Sequence, residues 1–154
     1  MQDSTRDRAE GPVTVALILD DDTAGSGALR QTLSALGYEA RVAPDADAAL
    51  DTLRMSAAPM ALFFNVEAHG ATLDGHSYAF LIGALLGDPA LARRHIYAVI
   101  SSTADDVEWA LGKALDRLGA PIFHKPCGAS ALETYLALAG GRPIPPASPE
   151  VATI

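Results

Sequence analysis

Residues Ala61 to Glu67, ALFFNVE, read as a buried strand that ends abruptly on a polar residue, Asn65. An apolar run this short, carrying no polar face, suits a strand covered on both sides of a sheet. Working outward from it, Val13–Leu19 (VTVALIL) is a first strand rich in β-branched residues. Leu29, Leu33 and Leu36 share one face of a helix over 28–36, which Gly37 ends. Tyr38–Val42 is a second strand, followed by a helix over 45–55 that faces inward through Ala46, Ala49, Leu50 and Leu53.

After MALFFN the pattern continues with a helix over 77–86, a fourth strand HIYAVIS and a helix over 105–118. A fifth strand, PIFHK, precedes a last helix over 130–139 whose start carries a Ser130/Glu133 capping box. Five strands alternating with five helices predict a parallel sheet covered on both faces, because each crossover needs a helix. In such a sheet ligands bind beyond the carboxyl ends of the strands, so the polar residues there decide function.

The bulk properties narrow the field. A chain of 154 residues, 49% hydrophobic and 19% charged, can bury one full core. A net charge of -8 argues against a nucleic-acid partner, which needs clustered cations. No apolar run is long enough to span a bilayer and the N-terminus is charged, which points to a cytoplasmic protein without a membrane partner. Cys127 is the single cysteine, so an internal disulfide is excluded. Its position before a helix favours a lowered thiol pKa, whereas its type favours a small buried hydrophobe. Residues 1–11 and the Pro-rich 141–154 read as tails around a domain over 12–140.

Strand one ends in Asp20-Asp21-Asp22, strand three in Asn65, strand four in Ser101-Ser102-Thr103, and strand five in Lys125-Pro126. In this order the residues resemble the receiver domain of two-component response regulators, over about residues 13–139. The separations of 44 positions from Asp21 to Asn65 and 22 from Thr103 to Lys125 also match that family. The resemblance implies a flavodoxin-like, doubly wound (βα)5 α/β fold with a five-stranded parallel sheet of order 2-1-3-4-5. It makes Asp20 and Asp21 the acidic, metal-binding pair, Thr103 the switch hydroxyl and Lys125 the phosphate-pairing cation. Asn65 then falls on the phosphoacceptor position, normally Asp.

A carboxamide is neutral and its nitrogen lone pair is delocalised, so Asn65 should not form an acyl phosphate. Its carbonyl oxygen remains a hard donor suited to Mg²⁺, weakly because one negative charge is missing. Glu67 lies where the family supplies a backbone carbonyl to the metal, and its side chain is a candidate to restore that charge. Ile122 replaces the aromatic that reports the switch in the family. The loop from Asn65 to Asp74-Gly75 is longer than usual.

Each position also has a plainer reading. Acids after a strand favour the following helix through its dipole, Thr103–Asp106 reads as a helix cap, and Lys125 reads as a surface lysine. His69, His76 and His95 lack ligand spacing, and His124 reads as an outer side chain of the sheet. In the helix over 105–118, Val107, Ala110, Leu111, Ala114 and Leu118 share a face, which points Trp109 outward; in the helix over 77–86, Tyr78, Phe80, Leu81, Ile82, Leu85 and Leu86 surround nearly the whole circumference, which leaves Phe80 outward as well. Both are candidate interface anchors.

Two functions follow. The first is a stand-alone atypical receiver that is not an enzyme and is not phosphorylated. It requires no cofactor beyond a candidate Mg²⁺ and works through a protein partner: a histidine kinase, another regulator, or a second copy in a homodimer. The alternative is a Mg²⁺-dependent phosphatase of haloacid-dehalogenase type using Asp20 and Asp22.

Overall fold

The computed structural model describes residues 11–20, 23–66 and 75–141. Five parallel strands form one sheet: β1 (Val15–Leu19), β2 (Glu39–Ala43), β3 (Met60–Asn65), β4 (Ile96–Ser101) and β5 (Ile122–His124). Their order is β2-β1-β3-β4-β5, the flavodoxin-like arrangement. Six helices connect and close the sheet: α1 (Thr23–Ala35), α2 (Ala46–Met55), α3 (Gly75–Leu86), α4 (Pro89–Arg94), α5 (Ala104–Leu118) and α6 (Ala129–Gly140).

Because side chains alternate along a strand, each central strand feeds two cores. Leu17, Leu19, Leu62, Phe64, Tyr97 and Val99 meet α2, α3 and α5 on one face. Ala16, Ile18, Ala61, Phe63, Ala98 and Ile100 meet α1 and α6 on the other. Phe63 and Phe64 are both fully buried, one in each core. Each contributes roughly 1.5–3 kcal/mol of apolar burial. This two-sided covering is why MALFFN carries no polar residue until its last position.

Helix ends follow local chemistry. Asp45 caps α2 by accepting from the Ala48 amide at 2.8 Å. Gly37, at a φ of 94°, takes the left-handed turn after α1 and lets the Tyr38 amide reach the Leu33 carbonyl at 3.0 Å. Gly140 allows a close approach: the Val13 amide donates to its carbonyl at 2.9 Å, and an added Cβ would stand 3.1 Å from Val13 Cβ.

Four expectations need correction. Among the described residues there are six helices, the extra one being α4, where Asp88 caps by accepting from the Leu91 amide and Pro89 opens the turn. α1 starts at Thr23, five residues earlier than its apolar stripe indicates. α6 begins at Ala129 with Gly128 at its cap and no side-chain cap bond, so Ser130 lies inside the helix and no Ser130 capping box forms. On α5 the buried residues are Ala104, Val107 and Leu115, while Ala110 is exposed; the inward face is rotated slightly from the one expected.

Candidate functional site

The register of the parallel ladder assembles the site. Leu19 pairs with Phe64, which carries Asp20 one step beyond β1 alongside Asn65 at the end of β3. Asn65 pairs with Ile100, so Ser101 follows on β4, and Ser101 pairs with His124, so Lys125 follows on β5. One staggered row of polar residues therefore runs along the carboxyl edge of the sheet.

At its centre Asn65 Nδ2 donates a hydrogen bond to Asp20 Oδ2 at 2.7 Å, with both residues 4% exposed. An ionised carboxylate only accepts, so the amide must turn its NH₂ group to Asp20. That leaves Asn65 Oδ1 on the other side, and this oxygen is buried without a hydrogen-bond partner among the described residues. Such an orphan costs about 1–3 kcal/mol of lost solvation.

Residue type explains why Asn fits. An Asp at position 65 would bring two carboxylates to the distance now bridged by one hydrogen bond, and two like charges so close cannot both ionise cheaply. The amide converts that repulsion into a charge-assisted bond.

The rest of the row is anchored by backbone. Ser101 is fully buried; its Oγ accepts from the Thr103 amide at 2.9 Å and lies 3.1 Å from Thr103 Oγ1. Thr103 occupies the cap position of α5 but makes no side-chain cap bond, so the capping role expected of its hydroxyl is not realised. Lys125 donates its amide to the Ser101 carbonyl at 2.9 Å and is half-buried; the Lys125–Pro126 peptide bond is cis. Ile122 is half-buried and packs against the core.

Sequence reasoning missed Tyr78. Its hydroxyl donates to the Asn65 carbonyl at 3.2 Å while its ring packs edge-on against Phe64, with centroids 6.2 Å apart. α3 is thereby tied to the residue at the heart of the site. The sequence showed Tyr78 only as one of the apolar residues surrounding nearly the whole helix, because the bond goes to a backbone oxygen that has no signature of its own.

Among the expected site residues, Asp21 and Glu67 lie outside the described residues, as does Asp22. Within the described residues no three His, Cys, Asp or Glu side chains cluster as a metal site. Asp20 and the Asn65 carbonyl oxygen are nevertheless both hard oxygen donors of the kind Mg²⁺ takes. Cys127 is buried, and burial pushes its thiol pKa up, in keeping with the hydrophobe reading. His124 is exposed. Trp109 is 90% exposed and Phe80 52%, on helices α5 and α3 that pack against each other.

No protein-family profile matches the chain, and no curated protein matches it significantly. Solved structures do match its fold. A sensor protein from Polaromonas sp. JS666 superposes with a TM-score of 0.62 at 23% identity, over 84% of this chain and 98% of that one. A CheY-like response regulator receiver domain from Methylobacillus flagellatus gives 0.58 at 21% identity, over 82% and 98%. The receiver domain of a sensor histidine kinase from Pseudomonas aeruginosa PAO1, with magnesium coordinated in its active-site cleft, gives 0.56 at 16% identity, over 84% and 98%. The chain thus has the fold of CheY-like receiver domains.

Proposed function

We propose that this chain is a receiver-like signalling domain of the two-component type, silenced for aspartyl phosphorylation at Asn65 and acting by protein contact rather than catalysis. The observation that carries the reading is the buried hydrogen bond from Asn65 Nδ2 to Asp20 Oδ2, in a polar row along the carboxyl edge of the sheet that also holds Ser101, Thr103 and Lys125. An acid pocket of receiver layout is kept, while the residue that would take the phosphoryl group is replaced by one that cannot attack phosphorus. A protein whose pocket were merely decaying would have no reason to keep a buried carboxylate.

Asp20 and the Asn65 carbonyl oxygen, with Asp21 and Glu67 from the adjoining chain, are the residues that would hold Mg²⁺. The ion would supply positive charge to the pocket. With an amide in place of one carboxylate its hold is weaker than in a pocket of three acids. Thr103 and Lys125 complete the pocket as the hydroxyl and the cation. The partner is a protein, a histidine kinase or another regulator, engaged through the α3–α5 side where Phe80 and Trp109 are exposed. No observation among the described residues favours the phosphatase alternative, whose second acid, Asp22, lies outside them.

The test is intact mass after incubation with Mg²⁺ and acetyl phosphate. The wild type should gain nothing and Asn65→Asp should gain about 80 mass units, the size of one phosphoryl group. An adduct on the wild type would mean that another side chain accepts phosphate and that the pocket is not silent.

A further inference from the structure

A cleft of about 620 Å³ opens at the amino end of the sheet, at the opposite edge from Asn65, where α3, α4, α5 and α6 all finish. A space of that size suits a small organic ligand. Its charge is unlike that of the chain as a whole. Arg93, Arg94 and Arg117 line it, and no Asp or Glu lines it among the described residues, although acids outnumber cations 19 to 11 in the sequence. Arginines in the last turns of α4 and α5 also complement the carbonyl ends of those helices. Each such end carries only about half a negative charge, so the guanidiniums outweigh the helix ends that meet here and leave the cleft positive.

The guanidiniums retain donors for an occupant. Arg94 reaches the Arg54 and Ser56 carbonyls only at 3.5 Å, the outer limit of a hydrogen bond, and both contacts go through Nη1. Arg117 is exposed and makes no hydrogen bond or ion pair among the described residues. Much of the remaining wall is apolar, with Leu86, Ile96 and Leu118 on it. Tyr97 and Tyr135 add ring surface, because each hydroxyl already donates to backbone: Tyr97 to the Ala92 carbonyl at 2.8 Å and Tyr135 to the Tyr97 carbonyl at 2.6 Å.

We infer that this cleft binds a small amphiphilic anion, a carboxylate or phosphate head on an apolar body. The head matches the planar donor fork of arginine, which takes two oxygens at once. The body covers the leucine, isoleucine and tyrosine wall. A bare inorganic anion would leave that wall in water, and a neutral apolar molecule would desolvate the guanidiniums without giving them a partner. The site uses none of the residues around Asn65, so it does not depend on the silenced pocket.

The experiment titrates the full chain with anilinonaphthalene sulfonate, a fluorescent anion with an aromatic body. The expected result is saturable binding with a dissociation constant on the order of 10 μM, as a ligand of that size allows. Dodecanoate, naphthyl phosphate or both should displace the probe, and whichever does so identifies the head group. Acetate and inorganic phosphate, which lack the body, should not. Arg117→Glu should weaken probe binding by roughly tenfold. Ala139→Trp should weaken it as well without changing charge, because Ala139 is exposed on α6 and lines the cleft. Arg30→Glu, the same charge change on α1, should leave it unaltered. Circular dichroism of each variant verifies folding. Absence of saturable binding overturns the assignment, and so does displacement by the bare heads. Binding indifferent to Arg117→Glu or to Ala139→Trp overturns it too, as does an equal loss on Arg30→Glu, which would mark attraction to net charge alone. None of these results bears on the phosphodonor experiment, so the silenced pocket and the anion cleft stand or fall separately.

Discussion

Two equally buried polar side chains at opposite ends of the sheet, His95 and Asn65, are treated in opposite ways. At the amino end His95, 4% exposed and just before β4, uses both ring nitrogens: Nδ1 accepts from the Met60 amide at 2.9 Å, and Nε2 lies 3.0 Å from the Leu53 carbonyl. Since the first nitrogen accepts, the proton sits on the second and the ring is the neutral Nε2–H form. At the carboxyl end Asn65, equally buried, uses its NH₂ group and leaves its oxygen without a partner. Full satisfaction at one end makes His95 a brace between α2, β3 and β4, while at the other end one acceptor stays unused among the described residues. The cleft of about 620 Å³ also lies at the amino end, lined by Arg93, Arg94, Arg117 and Tyr135 among others.

The largest break in this comparison comes from His95→Ala. Two backbone groups lose their partner and a ring-sized space opens in the core, so unfolding free energy in urea at pH 7 should fall by about 4 kcal/mol. Acid should erase most of that difference. Burial pushes the His95 pKa down from 6.5 to about 4. The unfolded state then binds a proton that the folded state refuses between those values, and stability falls as pH drops through that window. The wild type should lose about 3 kcal/mol relative to His95→Ala between pH 6.5 and 4, with the gap unchanged above pH 7. A gap independent of pH would mean the ring is not held neutral.

At the other end, Asn65→Asp should cost about 2 kcal/mol in a chelator at pH 7, because one of two facing carboxyls must protonate or repel. The sign differs from that of His95: a carboxyl with a raised folded pKa is favoured by acid, so this variant should recover stability as pH falls toward 5. Mg²⁺ should recover it as well, raising the variant's Tm more than the wild type's. Equal Mg²⁺ shifts in both proteins would detach the pocket from the metal.

How much of this was readable beforehand follows the same division. The five strands were legible because a strand buried on both faces leaves an apolar run bounded by polar residues, and the run at 60–65 matches its observed limits. Asn65 and Thr103 were legible because strand ends in a parallel sheet are where side chains gather. α4 was not, since its six residues bury only Leu91 and leave no stripe to detect, although Asp88 before Pro89 was a usable signal. The expected Ser130 cap failed because nothing local prevents α6 from starting one residue earlier, behind Gly128. The role of His95 was hidden because both its partners are backbone atoms, which every residue carries alike.

Tyr78 sharpens the comparison most finely, since it holds the backbone of the residue whose side-chain oxygen is left over. Its hydroxyl spans from α3 to the Asn65 carbonyl, while its ring is held by Phe64 whether or not the hydroxyl is present. Tyr78→Phe removes only the oxygen, and the loss in stability should be about 1 kcal/mol, the net worth of one buried neutral hydrogen bond. The informative measurement is the double-mutant cycle with Asn65→Asp. If Tyr78 positions residue 65 against Asp20, removing the hydroxyl lets the new carboxylate swing away from its neighbour, and the cost of the pair should fall below the sum of the two single costs. Strict additivity would instead show that Tyr78 only fastens α3 to the sheet, and that the side chain at 65 is aimed at Asp20 by the strand alone.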